Sequence, residues 1–234
     1  LRNIIKTPHI PFLQPSQQKI AKENIAVICA AGPTLDSQLS HIKNNREKLT
    51  IFAADTALIP LTKSGIIPDV IVSLDGQYFT MGDFICPLPT ESLCVVDALG
   101  YYDVANRFQN AAFSLSSFED GTLINYILKR LNIKPLIAET GGTVTDYTLD
   151  LARQFGFKTF FFAGYDLSYP DLVTHCKNAP SWTSRIANSD YFTGIEDSML
   201  KAIFNRRFQE AIAANGNKVI TDFVMDNYRN YLEY

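Results

Sequence analysis

What most constrains this chain is a series of short, unbroken apolar runs with turn-forming or helix-periodic residues between them. They are Ile25 to Ala30, Leu49 to Ala54, Val70 to Leu74, Leu93 to Val96, Ala112 to Leu115, Leu136 to Ala138, Thr159 to Ala163 and Lys218 to Phe223. Continuous hydrophobicity marks strands covered on both faces, whereas a half-solvated strand alternates. The lengths between the runs suit crossover helices. The expected fold is α/β: a doubly wound, mostly parallel, Rossmann-like sheet with helices on both faces. The Phe160 to Ala163 run is expected to be buried.

Two helices are expected with some precision. One starts near Thr143, whose hydroxyl can cap the first turn, sets Val144, Tyr147, Leu151 and Phe155 on one face, and stops at Gly156. The other is expected over 197–214, with Leu200, Ile203, Phe204, Phe208, Ala211 and Ile212 as its buried stripe and Lys201, Arg206 and Arg207 on a solvated face. Residues 1–24, with Pro8, Pro11 and Pro15, read as an extended arm that continues into a helical stretch from Ser16 to Asn24. Residues 25–234 read as one domain, since no repeat, low-complexity tract or linker interrupts them.

Composition narrows the function classes. With 234 residues and 47% hydrophobic content the chain can bury a sizeable core. Lys+Arg 21 against Asp+Glu 24, a formal charge of -3, provides no basic field for a nucleic-acid backbone or an anionic membrane. Its apolar runs are far shorter than the roughly 18–20 residues a bilayer span needs. Cys29, Cys86, Cys94 and Cys176 form neither a CxxC pair nor a disulfide framework, so reduced thiols in a cytoplasmic setting are expected. The chain begins with Leu and carries no signal-peptide pattern, and it reads as an excised piece of something longer.

In such a sheet, ligands gather beyond the carboxyl ends of the strands. The first run ends Ala31-Gly32-Pro33-Thr34-Leu35-Asp36, a small-residue turn entering a helix, where amides, helix dipole and the Thr34 hydroxyl favour an anion. The plainer reading is a tight turn with Asp36 as cap. The second run ends at Asp55-Thr56 and the third at Asp75-Gly76. Carboxylates there can accept bonds from sugar hydroxyls, hold a divalent ion, or simply cap the next helix. Thr140-Gly141-Gly142-Thr143 is a second cradle at a helix N-terminus, or an ordinary strand-to-helix turn. Gly164-Tyr165-Asp166-Leu167-Ser168-Tyr169 brings a carboxylate and two phenols to the same rim. Asp166 can bond a ligand hydroxyl, orient His175 or anchor its own loop.

Residues 170–197 are longer than a connection requires and read as a lid. His175 lies in it; an imidazole of near-neutral pKa there is a reasonable general base for a hydroxyl nucleophile, while a lone surface His is commonly inert. His9 sits in the arm and His41 between the first two strands. Trp182 either stacks on a ligand or anchors the lid.

Together, VICAAGPTLD (27–36), FAADTALIPLTKSGIIPDVIVSLD (52–75), TGGTVTDYTLDLARQFGF (140–157) and FFAGYDLSY (161–169), followed by His175, resemble the central domain of the motility-associated factor family over residues 25–195. That family is proposed to transfer nonulosonic acids to flagellin Ser/Thr. The same domain family includes the 6-hydroxymethylpterin pyrophosphokinases of MptE-like type, and a fainter likeness extends to bacterial sialyltransferases that use CMP-activated sugars. The resemblance implies nucleotide phosphate near Ala31, Gly32, Pro33 and Thr34. It implies base or ribose near Thr140, Gly141, Gly142 and Thr143, and sugar near Asp55, Thr56, Asp75 and Asp166; Tyr169, one of the two rim phenols, is also expected to face substrate. His175 matches the family His, and with Asp166 is expected to be catalytic. The large flanking regions usual in the family are missing, and Thr34 stands where Ser is frequent.

The function expected on these grounds is transfer of a nonulosonic acid from a CMP-activated donor to a flagellin hydroxyl, with no metal required. The alternative is pyrophosphoryl transfer from ATP to a pterin alcohol, which should need Mg²⁺ on carboxylates such as Asp55, Asp75 or Asp166. A third is a fragment that only binds nucleotide or a flagellar partner.

Overall fold

The computed structural model describes residues 2–14, 25–117, 122–213 and 215–233. Its centre is a seven-stranded sheet in the order β6-β5-β4-β3-β2-β1-β7, with every neighbouring pair parallel. The strands are β1 (Ile25–Cys29), β2 (Leu49–Ala54), β3 (Val70–Ser73), β4 (Leu93–Asp97), β5 (Ala111–Ser116), β6 (Ile137–Ala138) and β7 (Phe160–Ala163). All seven match expected runs. The chain winds outward from β1 to β6 and then returns to place β7 on the other side of β1, so the strand order reverses at β1/β7. That makes an α/β doubly wound fold.

The unbroken apolar runs are explained by helices on both faces. Ala26 and Ile28 of β1, Phe52 of β2 and Val70 and Val72 of β3 pack against Tyr147, Leu151 and Phe155 of α6 (Val144–Gln154). The residues between them point the other way: Val27, Cys29, Ile51 and Ala53 meet Leu35 and Ile42 of α2 (Leu35–Asn44) and Leu61 of α3 (Leu58–Lys63). Farther along, Ile71, Cys94, Val96 and Phe113 pack on Val104 and Ala105 of α4 (Tyr102–Asn106). Helix α5 (Leu123–Arg130) follows β5. Buried apolar area of this kind stabilises at roughly 25 cal/mol per Å².

Helix α6 starts as expected. Thr143 is its N-cap in extended backbone geometry, and the Thr143 hydroxyl accepts a hydrogen bond from the Asp146 amide at 3.0 Å. Inside the core, Tyr147 is hydrogen-bonded to Ser114 of β5.

In the arm, α1 (Arg2–Lys6) precedes an extended piece bonded to the sheet: the Leu13 amide donates to the Phe113 carbonyl and the Leu136 amide to the Leu13 carbonyl. The helical stretch expected from Ser16 to Asn24 lies outside the described residues.

Three expectations are corrected. The helix expected over 197–214 is α8 (Ile195–Phe204), and it ends ten residues early; Phe208–Ile212 is instead strand β8. The reason is the Asn215-Gly216 turn, with Gly216 at φ +83, which folds β8 back on β9 (Lys218–Asp222) as an antiparallel hairpin. The 218–223 run is therefore outside the parallel sheet, and α9 (Phe223–Glu233) follows it. Finally, β7 is an edge strand, with Phe161 56% exposed and Phe162 39% exposed. The 170–197 segment contains a short 3₁₀ turn, Pro170–Leu172, and helix α7 (Pro180–Ala187).

Candidate functional site

The reversal of strand order at β1/β7 parts the two following loops, and a cavity of about 250 Å³ opens there. Its walls come from the β1 corner (Ala31, Gly32, Pro33), the β2 end (Asp55, Thr56), the first turn of α6 (Thr143, Val144, Thr145), the β7 corner (Tyr165, Asp166) and Thr174 and His175. Met225 and Tyr228 of α9 complete it. The two glycine-bearing corners, far apart in sequence, thus reach one cavity, the second through Thr143.

Close backbone contact makes the first corner. The Gly32 amide donates to the Gly164 carbonyl at 2.7 Å, and a Cβ on Gly32 would lie 2.2 Å from Asp166 Oδ2. Gly164 has φ +64, and a Cβ there would come within 2.4 Å of the Ala30 carbonyl oxygen. Thr34 stands at the start of α2, but its hydroxyl does not cap the helix. The Thr34 amide donates to Asp166 Oδ2 at 3.0 Å and the Thr34 hydroxyl to Asp166 Oδ1 at 2.5 Å. The anion at this helix terminus is the protein's own carboxylate, and a phosphate seated among residues 31–34 has to displace it. Burial raises the Asp166 pKa, against the lowering effect of the Thr34 bonds.

At the second corner, the Thr140 hydroxyl donates to the Thr143 carbonyl and accepts from the Gly142 amide. Tyr231 of α9 covers this turn: a Cβ on Gly141 would be 2.4 Å from its ring. Thr140, Gly141 and Gly142 therefore lie behind the cavity wall, and Thr143, Val144 and Thr145 form it. The Tyr165 hydroxyl donates to Asp146 Oδ1 at 2.5 Å and lies 3.3 Å from the Thr143 hydroxyl.

Asp55 is buried, accepting from the Ser73 hydroxyl and the Thr56 amide, both at 2.9 Å. Desolvation pushes its pKa up to about 6, with a contribution from Asp75. Asp75 is exposed, outside the cavity wall, and accepts from the Gln77 amide. Asp83, which the sequence reading did not single out, is pushed up to about 7 by burial and by the charges of Asp55 and Asp75. Even so, among the described residues no three His, Cys, Asp or Glu side chains converge closely enough to hold a metal ion. Mg²⁺ needs only one or two carboxylates when substrate phosphates and water complete its shell, and Asp55, which lines the cavity, is a carboxylate of that kind.

Backbone bonds hold His175 in place, for the neighbouring Cys176 amide donates to the Ala31 carbonyl at 2.9 Å and the Lys177 amide to the Asp36 carboxylate. Asp36 thus ties residues 170–197 to α2. Burial, then the charges of Arg185 and Arg206, push the His175 pKa down to about 4. A near-neutral imidazole was expected; the site holds a neutral one that protonates only in acid. Tyr169 lies off the cavity, its hydroxyl donating to Asp222 Oδ2 at 2.6 Å, and Arg206 pairs with the same oxygen. Trp182 is partly buried against the α2 side of the core and borders a separate groove with Pro33 and Thr34. Among the wall residues missed from sequence are Val144, Thr145, Thr174, Met225 and Tyr228, whereas Tyr165, one of the two phenols expected at the rim, does line the cavity.

All four cysteines are free, and no helix among the described residues is long and apolar enough to cross a membrane.

Comparisons with known proteins agree with this architecture. A protein of Treponema pallidum (strain Nichols) described as uncharacterized is 30% identical over 95 residues, 40% of this chain and 45% of its own length. The 6-hydroxymethyl-7,8-dihydropterin pyrophosphokinase of Methanothermobacter thermautotrophicus is 28% identical over 170 residues, 70% of this chain and 65% of its own. Among solved structures, the Maf glycosyltransferase of Magnetospirillum magneticum AMB-1 superposes with a TM-score of 0.68 at 18% identity, covering 95% of this chain and 31% of that one. The fold is thus glycosyltransferase-like, and the chain spans less than two thirds of each of these relatives. The sequence model of the 6-hydroxymethylpterin diphosphokinase MptE-like family matches residues 1–172, and the chain belongs to that family.

Proposed function

We propose that this domain is a transferase that moves a nonulosonic acid of the pseudaminic or legionaminic type from a CMP-activated donor to a Ser/Thr hydroxyl of flagellin in the cytoplasm, without a metal ion. The observation that carries the reading is the single cavity at the β1/β7 reversal, whose described lining has carboxylates and hydroxyls but no lysine or arginine. A triphosphate requires several positive charges, whereas one phosphodiester can be met by amides and a helix dipole. The first turn of the 11-residue α6, at Val144 and Thr145, supplies both.

In this reading the sugar hydroxyls meet Asp55, Thr56 and, where it is freed from Thr34, Asp166. The acceptor oxygen attacks the anomeric carbon as the bond to the phosphate oxygen breaks, CMP leaves with that electron pair, and His175 takes the hydroxyl proton. A pKa of about 4 makes His175 a weak base until an anion lies against it, since an adjacent negative charge favours the imidazolium.

A second reading, pyrophosphoryl transfer from ATP to a pterin alcohol, draws on the family match and on the mutual charge effects of Asp55, Asp75 and Asp83. It requires Mg²⁺ on one or two of these carboxylates, with substrate phosphates and water completing its shell. Calorimetric titration with CMP, ATP and GTP, each with and without Mg²⁺, separates the two. Metal-independent CMP binding is expected; ATP binding that depends on Mg²⁺, with CMP silent, would replace the first reading with the second.

A further inference from the structure

One wall of the cavity differs in character from the rest. Thr174 Oγ1, His175 Nδ1 and Arg185 Nε are each buried and have no hydrogen-bond partner among the described residues, and Ser181 Oγ nearby is in the same condition. Buried polar atoms nearly always find partners, so a run of such exceptions between 174 and 185 calls for an explanation. Thr174 and His175 line the cavity. Arg185, on α7, is held by Nη1 donating to the Ser198 carbonyl at 2.7 Å and to the Ser198 hydroxyl at 3.2 Å, and its charge reaches His175. The second cation acting on His175, Arg206, is already paired with Asp222.

Thr174, His175 and Arg185 can each donate: a hydroxyl, a ring N–H in one tautomer, and a guanidinium N–H. Arg185 stands outside the cavity lining, but its charge acts on His175, and Thr174 and His175 bring two unpartnered groups that can donate to the wall itself. We infer that Thr174 and His175, with the charge of Arg185 acting from outside the lining, form an oxyanion subsite, which takes a carboxylate or phosphate group of the substrate through charge-assisted hydrogen bonds. The inference deepens the proposed transferase reading and rests on it for a substrate that carries such groups. The neutral state of His175 accords with it, since the imidazole sits beside positive charge with no anion to offset it.

The test compares paired probes by calorimetry on the full chain: CMP against cytidine, which differ by the phosphate, and N-acetylneuraminic acid against its methyl ester, which differ by the carboxylate charge. Thr174→Val is the principal variant, since Thr174 Oγ1 has no hydrogen bond to lose among the described residues. Arg185→Gln is the second, and its folding is checked first because Arg185 joins α7 to α8. In Thr174→Val one of the two preferences is expected to fall about tenfold, the loss of one charge-assisted bond. The pair that responds identifies the group bound. Unchanged preferences in both pairs, with CMP still bound, overturn the subsite and leave the nucleotide reading standing. A wild-type chain that ignores CMP, yet prefers the acid over its ester in a Thr174-dependent way, overturns the nucleotide reading and leaves the subsite. No binding of any probe overturns both.

Discussion

Asp166 occupies the N-terminus of α2 by accepting two hydrogen bonds from Thr34, one from the backbone amide and one from the hydroxyl, across 132 residues of chain. It does for the helix what a bound anion would do. Asp166→Ala is therefore expected to cost about 1–2 kcal/mol, the loss of a capping carboxylate. The emptied terminus should then accept inorganic phosphate. Thermal melts with and without phosphate check both effects, and a variant that phosphate stabilises no more than it does wild type would refute the second.

Gly32 allows no side chain. A methyl group there meets the Asp166 carboxylate and the Gly164 carbonyl at distances no real Cβ tolerates. Gly32→Ala is expected to destabilise by about 3 kcal/mol or more, at the upper end for overpacking. Chemical denaturation measures it, and a cost below about 1 kcal/mol would mean that the corner is softer than its geometry implies.

Asp55 gives a pH dependence with a definite sign. Its folded pKa of about 6 lies above the ordinary value of 3.8. Its protonated form thus favours the fold at low pH, and that contribution is lost as pH rises through about 6. Asp55→Asn should raise stability at pH 8 by up to about 3 kcal/mol relative to its effect near pH 4, the equivalent of two pKa units. If Asp55 holds a substrate hydroxyl, the same substitution weakens binding. Urea titrations at the two pH values test the first part.

His175 has the opposite sign. Its folded pKa of about 4 lies below 6.5, so the neutral ring stabilises the fold above pH 6.5 and that contribution is lost as pH falls toward 4. The charges acting on it are those of Arg185 and Arg206. In NMR titrations its ring resonances are expected to stay neutral down to about pH 5 and to shift to a higher titration midpoint once CMP or an acidic sugar is bound. A midpoint near 6.5 in the free chain would contradict the burial of this ring.

Most of the sheet was legible because each strand is buried by local composition: Ile51, Phe52 and Ala53 are apolar on both sides, and a helix covers each side. Thr143 was legible for the same reason, since a cap bonds within its own first turn. The edge position of β7 was not, because Phe160, Phe161 and Phe162 read identically whether a neighbour covers them or water does. Nor was the Thr34–Asp166 contact, as nothing local to either residue encodes its partner. The overextended α8 came from weighing helical periodicity above the Asn215-Gly216 turn, which sets a hairpin more strongly than Phe208, Ala211 and Ile212 set a helix. That error also hid α9, and with it the tyrosines that close the cavity and cover the second glycine corner.

β1 pairs with β2, close by in sequence, and with β7, which reaches it only after most of the chain has been made. During synthesis, Val27 and Cys29 wait with one edge bare until residues 160–163 leave the ribosome. The cavity between the β1 and β7 corners is thus completed only with the last strand of the sheet. A ligand that protects the chain from proteolysis would report that assembly has finished, and incomplete chains, however well their first six strands have formed, would gain nothing from it.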